Sequence, residues 1–94
     1  MYQRMSNGKV KFIWPDSKAR RVYLVGDFNE WDERSLPMHK RRGRGFELEL
    51  AIPPGKYTFK YLIDGVWWND PDADDYIGNS WGSEDSVILI QGMH

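Results

Sequence analysis

Three tryptophans and one lysine hold the positions in this 94-residue chain where chemistry could be done. Trp67 is one of an adjacent pair in "LIDGVWWND" (residues 62–70), where consecutive strand residues must face opposite ways. Trp31 stands at the tip of a polar turn in "VGDFNEWDE" (25–33), and Trp81 sits in the small-residue loop "GNSWGSEDS" (78–86). An indole displayed to water offers a large flat face at low entropic cost, well suited to packing on the C–H face of a sugar ring. Lys60, on the same side of its strand as Thr58 and Leu62, could donate hydrogen bonds to hydroxyls of the same ligand. The plainer alternative has Trp67 covering a small apolar patch with Leu62, and Trp31 and Trp81 folding back onto the core.

Other chemistries fit less well. No Cys is present, which excludes disulfides and Cys-ligated zinc, and the two His, His39 and His94, lie in a basic run and at the terminus. No metal centre or cofactor is expected. The acids of "DPDADD" (70–75) begin like a calcium loop, but the sixth and twelfth places hold Asp75 and Trp81, where that loop needs Gly and Glu. A solvated turn is the reading. Glycoside hydrolysis needs two carboxyls flanking a bond within a cleft, and a chain this short has little wall to build one. The expectation is a binding domain, not an enzyme.

The elements that must position these residues are short β runs divided by turn signals. "KVKFIW" (9–14), "RRVYLVGDF" (20–28), "GFELELAI" (45–52), "KYTFKYLI" (56–63) and "SVILIQ" (86–91) read as strands, and no ten-residue stretch carries a helical apolar stripe. Phe46, Leu48, Leu50 and Ile52 alternate with Glu47 and Glu49, and Tyr57, Phe59, Tyr61 and Ile63 alternate with Thr58, Lys60 and Leu62. Asp64-Gly65 is a two-residue hairpin signal. It pairs Ile63 with Val66, Leu62 with Trp67 and Tyr61 with Trp68, so Trp67 is expected on display and Trp68 in the core. Length and pattern predict a single all-β sandwich.

Net charge is −1 but unevenly spread: residues 1–45 carry eleven Lys/Arg against five Asp/Glu, and residues 46–94 two against nine. The densest basic run, "HKRRGRG" (39–45), reads as a solvated hairpin loop ahead of a strand, and no nucleic-acid partner is expected. No apolar run reaches membrane-spanning length and "MYQRMSNGKV" lacks a signal-peptide core, so no membrane partner and a cytoplasmic location are expected.

Taken together, "VYLVGDFNEWDE", "PPGKYTFKYLIDGVWWNDP" and the loop leading into "SVILI" resemble the family 48 carbohydrate-binding modules. That family includes the glycogen-binding domain of the AMP-activated protein kinase β-subunit and the N-terminal domains of isoamylases and glycogen-branching enzymes. The order G-x-F-N-x-W, Y-x-F-K-Y-x-x-D-G-x-W, D-P carries the likeness, which covers about residues 8–91 of one domain spanning 1–94. It implies an immunoglobulin-like sandwich of the early-set type that binds α-1,4-glucans, such as glycogen, without cleaving them. By the same resemblance Trp31 and Trp67 are the stacking tryptophans and Lys60 the lysine that bonds glucose hydroxyls. With about one residue inserted between Pro71 and Gly82, Trp81 falls where a leucine threads the curve of the oligosaccharide, and Ser83 at a hydroxyl-bearing position. Asp85 falls where an asparagine is usual, and a carboxylate accepts but does not donate; Asn79 is a candidate substitute. The chain ends three residues after Gln91, so the expectation is a domain acting alone or with a separate glucan-active enzyme or kinase chain. The rival reading is a protein-interaction sandwich that has kept the fold.

Overall fold

A computed structural model describes residues 2–5, 8–16, 18–43, 45–80 and 82–91. The described residues form nine strands: β1 Tyr2–Arg4, β2 Lys9–Trp14, β3 Val22–Gly26, β4 His39–Arg41, β5 Gly45–Ala51, β6 Gly55–Ile63, β7 Val66–Trp68, β8 Asp75–Gly78 and β9 Glu84–Ile90. One sheet runs β1-β2-β5-β4; the other runs β3-β6-β9-β8, with β7 also paired to β6. Every pairing is antiparallel. In the lettering of immunoglobulin domains these are sheets A-B-E-D and C-F-G, with β7 and β8 inserted between F and G. The all-β sandwich expected from the alternation is the observed fold.

The alternation also decides the core. Phe12, Leu24, Phe59, Tyr61 and Ile88 are fully enclosed between the sheets, with Phe46 and Ile52 of the β5 stretch joining them. Leu48, Leu50 and Tyr57 pack against this cluster from its margins. Phe59 meets Phe12 and Tyr61 edge-on, at centroid separations of 5.4 and 5.8 Å. Between β3 and β4 the chain changes sheets: Leu24 N–H donates to Leu36 O and Met38 N–H to Val22 O before His39 pairs with Glu47.

Two glycines explain local geometry. Asp64 and Gly65 both have positive φ (49° and 83°), the backbone of the tight hairpin turn that matches strand twist. Ile63, Leu62 and Tyr61 therefore face Val66, Trp67 and Trp68, the register expected. At Gly26 the backbones of β3 and β6 close in so far that a Cβ would sit 2.5 Å from Thr58 O and 2.7 Å from Phe59 Cβ. Only Gly fits there, and the chain turns at the next residue toward Trp31.

Three expectations need correction. Trp68 is 51% exposed, not buried, although its partner Tyr61 is fully enclosed. Parity sends Trp68 to the inner side of its sheet, but β7 is a three-residue edge strand and, among the described residues, no further strand covers it. Trp14, at a centroid distance of 6.1 Å, is its aromatic neighbour. The "DPDADD" stretch is not a wholly solvated turn, because Asp70 is completely buried. Its carboxylate accepts from Tyr61 Oη at 2.7 Å and Asp72 N–H at 2.8 Å, while its own N–H donates to Ser86 Oγ at 2.8 Å. Burial, with the Asp70 charge beside it, pushes the Tyr61 hydroxyl well above its ordinary pKa and keeps it a donor. The third is the long β3 run, which starts at Val22 rather than Arg20 and ends in a 3-10 turn, Asp27–Asn29.

Candidate functional site

The outer face of the β3-β6-β9 sheet carries a groove of about 810 Å³. Trp31, Lys60, Trp67, Ser83 and Asp85 all line it, as do Glu33, Asn79 and Ser80. The structure thus brings together five of the six expected site residues; the sixth, Trp81, lies outside the described residues.

Each side chain is placed by a different element. Trp67 comes from β7, cross-strand from Leu62, and is 43% exposed. Trp31 follows the 3-10 turn, where Glu30 and Trp31 both take left-handed backbone (φ 57° and 58°). Asn29 makes that turn possible: its Oδ1 accepts from Gly26 N–H at 3.0 Å and its amide donates to Asp32 O and Ser35 Oγ. The two indoles lie 6.5 Å apart with 56° between their planes. Such a pair makes a bent platform, not a flat one.

Asp27 holds Trp31 in place, a role the sequence reading missed. Its Oδ1 accepts from Trp31 Nε1 at 2.9 Å, and its Oδ2 accepts from Thr58 N–H at 2.7 Å and Thr58 Oγ1 at 2.9 Å. Burial pushes the Asp27 carboxyl up, but hydrogen bonds from Thr58 and Trp31 outweigh it and hold the pKa below the ordinary 3.8. The available signal was a carboxylate four residues before the turn tryptophan. Because the folded pKa is depressed, the hold is complete above the ordinary value and is lost only as pH falls through the lower one. Ligand binding at this groove should therefore be level from about pH 8 to about pH 5 and decline below about pH 4. A fluorescence titration across pH checks this, and a decline centred above about pH 5 would contradict the role given to Asp27.

Lys60 sits mid-strand on β6, opposite Val25, with its side chain only 12% exposed. Its Nζ lies 3.4 Å from Ser83 Oγ and 3.9 Å from Asp85 Oδ1. Asn79 Nδ2 donates to the same Asp85 oxygen at 3.0 Å, and Asn79 Oδ1 accepts from Ser83 N–H at 3.1 Å. This gives the departure at Asp85 a physical account. The carboxylate compensates a largely enclosed ammonium, while Asn79 sets an amide beside it in the groove. Ammonium, carboxylate, hydroxyl and amide on one wall can meet groups that both donate and accept. Sugar hydroxyls are such groups.

The basic "HKRRGRG" run lies elsewhere. It forms β4 and the turn into β5 on the edge of the other sheet, where Arg41 Nε faces Glu47 at 3.9 Å; Arg44 is outside the described residues. Among the described residues no three His, Cys, Asp or Glu gather as a metal site, and no helix is long and apolar enough to cross a membrane.

Comparison with known proteins agrees with the geometry. Residues 9–92 match the family described as the glycogen recognition site of AMP-activated protein kinase. The chain is 37% identical over 78 residues to protein PTST homolog 2, chloroplastic, of Arabidopsis thaliana, covering 83% of this chain and 14% of that one. It is 42% identical over 85 residues to the Arabidopsis thaliana phosphoglucan phosphatase LSF1, chloroplastic, covering 86% and 14%. It is 32% identical over 80 residues to 5'-AMP-activated protein kinase subunit beta-1 of Sus scrofa, covering 85% and 62%. The chain thus spans a small part of the plant relatives and under two thirds of the kinase subunit. With the match running almost end to end over a sandwich that sets Trp31 and Trp67 in one groove, the chain belongs to the glycogen-recognition family of AMP-activated protein kinase, the family 48 carbohydrate-binding modules.

Proposed function

We propose that this domain binds α-1,4-linked glucan, such as glycogen or a starch-like polymer, in the groove between Trp31 and Trp67. The observation that carries the reading is the tilted indole pair, 6.5 Å apart at 56°, with Lys60 in the same groove. A β-linked chain is nearly flat, whereas an α-1,4-linked chain curves and can lay successive rings on two surfaces set at an angle. Lys60, Ser83, Asn79 and Asp85 then hydrogen-bond the hydroxyl edge, and Trp81 is proposed as a further apolar contact.

We read the domain, residues 1–94, as non-catalytic. Of the two carboxylates in the groove, Asp85 is committed to Lys60 and Asn79, leaving Glu33 without the partner that glycoside hydrolysis requires. Its use is to hold something on the polymer. Relatives named as a phosphatase and as a kinase subunit make a separate glucan-active enzyme or kinase chain the fitting partner. Two relatives are named chloroplastic, so family membership alone does not carry the cytoplasmic location.

Native gel electrophoresis with glycogen cast into the gel tests the function. The protein should be retarded, and the Trp31→Ala variant should run as it does without glycogen. Unretarded wild-type protein would leave the rival protein-interaction reading in its place.

A further inference from the structure

Beyond Trp67 the groove does not end. A second hollow of about 890 Å³ adjoins it, and Glu33 lines both. Leu62, on its floor, is the cross-strand partner of Trp67, and Tyr23 pairs with Leu62 on the far side. A chain lying across Trp67 would therefore run over Leu62 into this hollow. Arg20, Arg21 and Arg34 line it, and all three are exposed.

Their guanidinium groups make no hydrogen bond or ion pair among the described residues. Arg4, by contrast, is bound to Asp74 and to Leu89 O at 2.8 Å each. The acid beside them is already engaged: Asp64 Oδ1 accepts from Arg20 N–H at 3.0 Å and Arg21 N–H at 2.9 Å, its Oδ2 from Arg20 N–H at 3.2 Å. Those bonds tie the β6–β7 turn to the segment before β3. They fix the backbone at Arg20 and Arg21 while leaving both side chains to the hollow. Glu33, at the boundary, keeps an acceptor for hydroxyls between the aromatic and the basic parts.

We infer that this hollow is a subsite for a phosphate monoester carried on the bound glucan. The inference rests on the glucan reading above and adds a charged substituent to it. Guanidinium is the group best matched to phosphate, since it donates parallel hydrogen bonds to two oxygens and stays charged at every accessible pH. Three of them around one concavity suit a dianion with three terminal oxygens. A neutral glucan offers them hydroxyl acceptors but no charge to match. Their position along the floor from Trp67 makes the anion part of the same ligand.

The test compares maltoheptaose with maltoheptaose carrying one phosphate monoester, by calorimetric titration of the wild-type chain and of Arg20→Gln/Arg21→Gln/Arg34→Gln. Wild type should bind the phosphorylated sugar roughly tenfold or more tightly at low salt, and the advantage should shrink as salt rises. The triple variant should bind both sugars alike, at the wild-type affinity for unmodified maltoheptaose. That retained affinity shows that the variant is folded. Equal wild-type affinity for the two sugars, or an advantage surviving in the triple variant, would overturn the subsite and leave the glucan reading standing. Displacement of the phosphorylated sugar by equimolar inorganic phosphate would also overturn it, as a site for the free anion. Wild-type protein that binds neither sugar would overturn both readings together.

Discussion

Trp67→Ala should weaken α-glucan binding about ten- to hundredfold while costing about 1–2 kcal/mol of stability. The indole is 43% exposed in the free protein, so its loss removes only part of a full core burial, as at Trp68. In the complex the sugar ring and Trp31 would enclose it, and an aromatic side chain taken fully out of water contributes about 1.5–3 kcal/mol. The neighbouring residue should differ in its effect on binding, not on stability. Trp68 points to the other face and packs on Trp14, so Trp68→Ala should leave glucan affinity unchanged. It should lower stability by about 1–2 kcal/mol, below the usual cost for a large residue lost from a core, because half of Trp68 is already in water. Urea unfolding and a maltoheptaose titration on both variants check the pair. Weakened binding with Trp68→Ala, or its preservation with Trp67→Ala, would show that the ligand uses the wrong side of β7 for this account.

Asp70→Ala should destabilise the domain by about 3–5 kcal/mol, a large share of the 5–15 kcal/mol typical of a whole domain. Asp70 is fully buried and ties together β6 through Tyr61, β9 through Ser86 and the turn through Asp72. Removing the carboxylate takes away the acceptor that the Tyr61 hydroxyl meets in the core, and losing the partner of a buried donor is costly. Asp70→Asn should cost less, since an amide oxygen can still accept from Tyr61. The measurement is the urea midpoint of the three proteins. A loss below about 1 kcal/mol for Asp70→Ala would mean that Asp70 is a surface acid after all.

Both sites bear on what could be read in advance. The register around Asp64-Gly65 was legible because a two-residue turn with positive φ leaves the facing pairs no freedom. The side of the sheet that carries Lys60 and Trp67 followed from that register. What failed was the step from side to burial. Trp68 shares a face with Tyr61 but has no strand beyond it, and the extent of an edge is a property of the whole sheet. Asp70 failed for a related reason. Its acidity and the Pro after it read as a turn, and nothing local announces that Tyr61 and Ser86 converge on it. The bond from Asp27 to Trp31 and Thr58 also joins residues distant along the chain, except for the four-residue step within the turn. Asp85 was legible as a departure, but its compensation by Lys60 and the nearby Asn79 emerged only from the folded β8–β9 hairpin.

The central claim is that a bent pair of tryptophans selects a curved α-glucan chain. Titration of the wild-type chain with maltoheptaose and with a cello-oligosaccharide of equal length, followed by tryptophan fluorescence at two salt concentrations, tests it most directly. Maltoheptaose should bind and quench or shift the emission, with an affinity that changes less than about threefold between the two salts, because no ion pair is screened. The cello-oligosaccharide should bind at least about tenfold more weakly. Equal affinity for the two sugars, or collapse of maltoheptaose binding at the higher salt, would contradict the account.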